Sequence, residues 1–575
     1  MAKKINIFDN SNLNESYSGV VTPLTFSFAK RSYEKVYLSF CKLLGVNKKN
    51  LKQNSNIFPN MVAYLGGRMY YDLINWYRLV ALLPGYKFNR GFFEKMLGVE
   101  ENLAYKPGKK LGLGEKIFDF INFVYRVIKM TSAFIFIGKS IKKFNGDFDK
   151  KLLYLDKTNL RTKGDRDLVV FYESFEDGLT KDFSVPIIND FAVMISTGIL
   201  KTLTRRWLND KDGSKANCFI SGRVGLKSAE PGRAIQKILE SINANKDARR
   251  LFQTKFPKEI LLDLEQDHSL SKIKIGIDLY IKSYGSRMPG ELKLESISFQ
   301  DDPLVLIEII KNACRDETGV RRSVSKNLID RDIKKLSLIK KPLFNFVLKW
   351  ARRSVIYREE TRFKRAQIFG VARRVFREFG TRLKQQRKIA SISDVFYLSV
   401  DEIFTYFGSN IDRKTDFYSD VQQRKNLAKI WKRISLPRRI KTSLSSKQYN
   451  NTLLEKQKES LENLVKRKVF GQLVSLGSNS PFVVGRSLVT TDFDPSKNYV
   501  NKILITRQTD PGWTIIFPYL KGLVVERGGS LSHAAIVARE FGIPCIINAA
   551  DATKIIPDDR DVIMDLKTGQ VNLNG

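Results

Sequence analysis

Gly528-Gly529-Ser530-Leu531-Ser532-His533-Ala534-Ala535-Ile536-Val537-Ala538-Arg539-Glu540-Phe541-Gly542-Ile543-Pro544 is the stretch on which the reading of this chain turns. The apolar run Leu523-Val524-Val525 before it reads as a buried strand, and two glycines permit a tight turn with uncovered backbone N–H groups. Ser532 stands where an N-cap would, and the Ala/Ile/Val stretch after it reads as a packed helix ending near Gly542. His533 is thereby expected in the first turn of a helix, where orphan N–H groups and the positive dipole end favour an anion. An imidazole there can take up a phosphoryl group, its charge held by the backbone around Gly528, Gly529 and Ser532. The plainer alternative is a buried histidine that fills space and bonds a neighbour.

The chain has 575 residues, 43% hydrophobic and 11% aromatic, which suits several globular domains with buried cores. The N-terminal Met1–Asn10 lacks the apolar core of a signal peptide. Phe118 to Gly138 is the most apolar candidate span, but Asp119, Arg126 and Lys129 interrupt it, so no transmembrane segment is expected. Cys41, Cys218, Cys314 and Cys545 are scattered and His268 and His533 are the only histidines, which fits a reducing cytoplasm and gives no metal site. The formal charge is +39, and Arg321 to Lys388 holds 22 Lys/Arg against 5 Asp/Glu. Such a field attracts anions in general, although solvated basic faces explain it equally well. No nucleic-acid-binding motif accompanies the charge, so nucleic acid is not the expected partner.

Val483-Val484, Ile503-Leu504-Ile505, Leu523-Val524-Val525, Ile546-Ile547 and Val562-Ile563-Met564 are short apolar runs bounded by Gly, Pro, Asp or Asn. They predict a compact α/β domain over residues 470–575, with Asp510-Pro511-Gly512-Trp513 as a turn. Residues 1–465 read as a mainly helical domain. Its clearest helix starts near Ala351 and carries the stripe Ile368, Val371, Val375, Phe379 and Leu383. Arg373, Arg374, Arg377 and Arg382 lie off that stripe, and most of them are expected to be solvated. Arg358 and Arg362, four apart, share a helical face and could clamp phosphate oxygens; a surface role is the alternative.

The His533 run resembles the phosphohistidine segment of the swivelling domain in phosphoenolpyruvate-utilising enzymes, and Thr509-Asp510-Pro511-Gly512-Trp513-Thr514 is similar to another part of that domain. Pyruvate phosphate dikinases have a threonine where this chain has Leu531, so the regulatory modification at that threonine is not expected. Upstream blocks resemble the substrate domain of the rifampin phosphotransferase and phosphoenolpyruvate synthase-like family. They are Asn14 to Thr25, Tyr284-Gly285-Ser286-Arg287 with Glu291, Tyr357-Arg358-Glu359-Glu360-Thr361-Arg362, and Asp394-Val395-Phe396-Tyr397-Leu398. The third matches an Arg-Glu-x-x-Lys block, with Arg362 in place of lysine, which keeps the charge and changes the shape.

The resemblance implies a mainly α substrate domain followed by a small α/β swivelling phosphohistidine domain, with His533 as carrier and Arg287, Arg358 and Arg362 neutralising the moving charge. It also implies an ATP-grasp domain before Glu15 and, in phosphoenolpyruvate synthases, a barrel after the swivelling domain. Neither is expected in this sequence, and Gly112-Leu113-Gly114, which lacks the following Lys-Ser/Thr, is weak evidence for a phosphate-binding loop. The expectation is therefore a split phosphotransferase that binds no cofactor itself. A separate ATP-grasp partner would hold Mg-ATP, and an unknown small-molecule acceptor would receive the phosphoryl group. A carboxylate-activating ligase half, or a non-catalytic basic scaffold subunit, are the other readings.

Overall fold

The structure is a computed structural model and describes residues 5–83, 113–210, 214–220, 229–314, 333, 336–408, 416–434, 436–456, 469–475, 482–529 and 532–573. Gly112, Ser530, Leu531, Arg321 and the side chain of Cys218 lie outside the described residues. The chain divides into two compact units. The first comprises Met1–Met194, Leu292–Glu295 and Gln367–Leu461; the second comprises Ile195–Glu291, Ser296–Ala366 and Glu462–Gly575. Residues 470–575 thus fall wholly in the second unit, and residues 1–465 are divided between the two.

The first unit is mostly helical, as its periodicity predicts. The helix Pro23–Leu43 starts where Pro23 fixes φ in the first turn and the Thr22 side chain accepts from the Thr25 N–H. Glu295 accepts from the Thr22 N–H and from both threonine hydroxyls, so the Asn14–Thr25 block ends in a reinforced helix start. Asp394 likewise caps the short helix Ile392–Tyr397 and pairs with Lys425 at 2.5 Å, which gives the Asp394–Leu398 block a structural task. Sequence reading missed a small antiparallel sheet of β1 (Asn6–Asp9), β2 (Val62–Leu65), β3 (Arg68–Asp72) and β4 (Arg439–Thr442), in the order β2-β3-β1-β4.

The long helix runs Lys340–Gln385, starting eleven residues before the expected Ala351, and all five stripe residues are buried. The expectation that most of its off-stripe arginines are solvated fails for two of the four. Arg373 is buried and donates to the carbonyls of Leu294 (3.2 Å) and Lys293 (2.9 Å). Arg382 is buried against Asp165, Glu378 and the carbonyls of Leu160 and Lys163. A guanidinium can be buried when its donors find fixed oxygens, and periodicity does not reveal whether they do.

The second unit joins helices to a mixed eight-stranded sheet. Its strands are β5 (Val469–Phe470), β6 (Gln472–Ser475), β7 (Phe482–Val489), β8 (Ile503–Thr506), β9 (Gly522–Val525), β10 (Cys545–Ile547), β11 (Asp561–Asp565) and β12 (Gln570–Leu573). The order is β5-β12-β11-β7-β8-β9-β10-β6. The neighbours from β7 to β10 are parallel and the flanking pairs antiparallel. All five apolar runs read from the sequence are strands. β9, the helix His533–Glu540 and β10 form a crossover unit, which sets His533 beyond the carboxyl end of β9.

One face of that sheet shares a core with helices Glu230–Asn243, Ser271–Tyr284 and Pro303–Cys314. Trp513, Phe517, Ala535 and Val537 pack in one cluster with Ile235, Leu239, Tyr280 and Phe299. Cys41, Cys314 and Cys545 are buried and free, with thiols pushed up to about 12 by burial. The helical stretch Asp165–Trp207 contains an 18-residue window apolar enough to cross a membrane by composition, half of it buried inside the protein; core helices meet the same criterion.

Replacing Arg373 by Met should cost about 1–3 kcal/mol, because two carbonyls lose their donor. Arg374→Met, at an exposed ion pair with Asp156, should change stability by no more than about 0.5 kcal/mol. Chemical unfolding of both variants checks the contrast.

Candidate active site

Two loops of the second unit meet through one carboxylate. Asp510 accepts from the Gly512 N–H at 2.9 Å, shaping the short helix Pro511–Ile515, and from the Gly290 N–H at 2.9 Å. Asp510-Pro511-Gly512-Trp513 is thus more than a turn. A Cβ on Gly512 would stand 1.9–2.1 Å from backbone atoms of Met288 and Pro289, so only glycine permits this approach. The contact brings the His533 side of the sheet against the Tyr284–Glu291 segment.

His533 is the first residue of its helix, and Ser532 caps that helix by accepting from the Ala535 N–H. Gly528 has φ +141° and sits where a Cβ would meet the Ser532 hydroxyl at 3.0 Å, so the Gly528-Gly529 turn carries the chain into the cap. The imidazole is 2% exposed. Its Nε2 lies 3.0 Å from Thr514 Oγ1, which also donates to the Pro511 carbonyl at 2.7 Å. Its Nδ1 is buried with no hydrogen-bond partner among the described residues. Burial pushes the ring down to about 3, opposed by Glu359 and reinforced by Arg287 and Arg362. His533 is therefore neutral at physiological pH, with a lone pair free to react.

Around it lie buried charges from both neighbouring segments. Arg287 and Glu291 are each 2% exposed and pair at 3.2 Å. The Arg287 guanidinium stands over the Phe363 ring, 5.1 Å from its centroid. Arg287 Nε and Nη2 are buried donors without a partner among the described residues. Glu359 is buried and pairs with the half-buried Arg362 at 3.4 Å. Burial alone would raise the Glu359 carboxyl; Arg362, Arg358 and Arg287 hold it below its ordinary value. Burial raises Glu291 to about 7, with Asp510 adding to the shift and Arg287 and Arg365 opposing it.

His533 and Ser532 therefore stand where the sequence places them, and His533 lies within electrostatic reach of Arg287 and Arg362. Arg358 is half-buried and acts on Glu359. Glu291 is tied to Arg287. Sequence reading missed Glu359 and Thr514 as site residues, although both sit inside quoted blocks. Among the described residues no group of three or more His, Cys, Asp and Glu could hold a metal ion.

Comparison with known proteins gives two domain matches. Residues 500–569 match the mobile domain of PEP-utilising enzymes, and residues 186–359 match the rifampicin phosphotransferase fourth domain. His533, Thr514 and Asp510 fall in the first, and Arg287, Glu291, Arg358 and Glu359 in the second. A rifampicin phosphotransferase of Bacillus cereus is 26% identical over 71% of this chain and 46% of its own length. One from Bacillus subtilis is 25% identical with the same coverage. A prodigiosin synthesizing transferase, PigC, of Serratia marcescens is 23% identical over 64% of the chain and 41% of its own length. The chain thus resembles rifampicin phosphotransferases over most of its length and spans about half the length of the relatives it matches.

The two perturbed groups have opposite linkage. His533, lowered from 6.5 to about 3, contributes stability that is present above pH 6.5 and lost as pH falls through its folded value. Glu291, raised from 4.5 to about 7, contributes stability that is present below pH 4.5 and lost as pH rises through neutrality. The His533 ring resonances should stay fixed between about pH 5 and pH 8. Glu291→Gln should remove the loss of stability toward neutrality, so that the melting temperature rises with pH below about 6.5, where the opposite linkage of His533 then acts without Glu291; a histidine titrating near its ordinary value would contradict the burial described.

Proposed function

We propose that this chain carries a phosphoryl group on His533 and delivers it to a small-molecule acceptor, as the carrier and acceptor part of a dikinase-like phosphotransferase of the cytoplasm. The observation that carries this reading is Arg287. Two of its buried N–H donors have no partner among the described residues, beside a neutral imidazole whose Nδ1 is also unpartnered. Buried donors left open are costly, and a phosphoryl oxygen would satisfy them. The domain matches and the phosphotransferase names of the relatives support the same reaction class.

The chemistry balances in three displacements. The imidazole lone pair forms an N–P bond to the β-phosphorus as its P–O bond to AMP breaks, the AMP oxygen keeping that electron pair, and water then displaces the terminal phosphate, which leaves the β-phosphoryl group on the ring. An acceptor hydroxyl oxygen then attacks phosphorus, the N–P bond breaks, and the ring recovers its lone pair. We assign the hydroxyl proton to Glu359, an ionised carboxylate within electrostatic reach of His533, although its lowered pKa makes it a weak base. Arg287, Arg358 and Arg362 offset charge on the moving phosphoryl oxygens in a site largely free of water. We assign Mg-ATP to an ATP-grasp partner of the dikinase type, with this chain holding no cofactor. His533 is enclosed in this arrangement, so charging requires the carrier to leave it.

The chain incubated with such a partner and radiolabelled Mg-ATP should acquire acid-labile, base-stable label on His533, and His533→Ala should abolish it with the fold intact. Arg362→Ala should slow onward transfer by about 10²–10³, or about 2–4 kcal/mol, with charging of His533 preserved. Acid-stable label on Ser532, or full activity of His533→Ala, overturns the carrier reading.

A further inference from the structure

The long helix Lys340–Gln385 begins with one face packed and another exposed to solvent. Phe344, Val347, Leu348 and Ala351 are buried. Phe344 meets Phe219 edge-on with ring centroids 5.4 Å apart, and Arg352 donates to the Phe219 carbonyl at 2.8 Å. The opposite face of such a helix is ordinarily polar, and here it is not. Leu338 and Ile339, in the turn that enters the helix, are 88% and 90% exposed, and Leu343 and Phe346 are 52% and 66% exposed. The N–H groups of Lys340 and Lys341 both donate to the Ser337 carbonyl, so that turn runs directly into the helix. Ile339, Leu343 and Phe346 then follow at helical spacing and form one apolar stripe.

Cations frame that stripe. Lys340, Lys341, Lys349 and Arg353 lie along the same turns, and no acidic residue occurs between Ser337 and Arg358. A basic face that is merely solvated has no use for bare leucine, isoleucine and phenylalanine side chains. Protein interfaces are depleted in lysine, which speaks against a packed partner protein. An anionic lipid surface takes both halves of the pattern, because apolar side chains enter the acyl boundary while the cationic heads stay among the phosphates. We propose that the start of the long helix, from Leu338 to Arg353, is a docking surface for an anionic phospholipid membrane. Leu338, Ile339, Leu343 and Phe346 insert, and Lys340, Lys341, Lys349 and Arg353 supply the attraction. The attachment is peripheral, made by side chains and not by a spanning helix, and it does not rest on the carrier reading of His533.

Flotation of the full chain with lipid vesicles tests this. The chain should float with vesicles of phosphatidylglycerol and phosphatidylcholine, stay behind with phosphatidylcholine alone, and bind less well as salt is added. Leu343→Ser/Phe346→Ser alters two exposed positions and leaves the packed face intact. It should weaken binding to the anionic vesicles by about tenfold or more, with the melting temperature unchanged. Lys349→Glu/Arg353→Glu should weaken binding as well. Ile275→Ser, at an exposed apolar position on the helix Ser271–Tyr284, should bind as the unaltered chain does. Failure of the unaltered chain to bind the anionic vesicles overturns the proposal, and a face that instead joins two copies or receives an acidic protein gives that result. Unchanged binding by the folded Leu343→Ser/Phe346→Ser chain also overturns it, since net charge alone would then explain the attraction.

Discussion

The Asp510 carboxylate is the contact on which the arrangement of the site depends. One oxygen fixes the bend at Gly512, and the other holds the Gly290 N–H on a segment 220 residues earlier in the chain. Both bonds are charge-assisted and largely withdrawn from water, where such contacts are strong and their loss is costly. Gly512 supplies the steric half of the constraint, because any side chain there would overlap the Met288–Pro289 backbone. Arg287 and Glu291 on one loop, and Thr514 on the other, take their positions from this junction.

Within that frame charged side chains gather around a buried imidazole. Arg362, Arg358 and Arg287 hold the buried Glu359 carboxyl below its ordinary value, while burial and Asp510 raise Glu291 against Arg287 and Arg365. On the carrier reading proposed above, a phosphoryl group on the ring brings negative charge beside these guanidiniums.

Much of this was legible in local sequence. The Ser532 cap, the helix from His533 and five strands follow from spacing and residue type, which act over a few residues. The stripe from Ile368 to Leu383 likewise gave the long helix its buried face. What stayed hidden was long-range. Thr514 lies 19 residues from His533 and Glu359 lies on another helix, and no periodicity couples them. Arg373 looked solvated because its off-stripe position is visible in sequence while the carbonyls of residues 293 and 294 that receive it are not. The strands β1 and β4, paired although more than 400 residues apart, were too short to announce themselves.

On the carrier reading proposed above, the near-complete enclosure of His533 has a consequence for economy of phosphate. A phosphorus–nitrogen bond is spent uselessly whenever water reaches it before the acceptor does. A carrier that is sealed once seated keeps that leak small, and its futile hydrolysis should be confined to the interval in transit. The same seal sets a ceiling on throughput, because each cycle must wait for the ring to emerge and return. For such a carrier, fidelity and speed are governed by one quantity, the fraction of time a single imidazole spends uncovered.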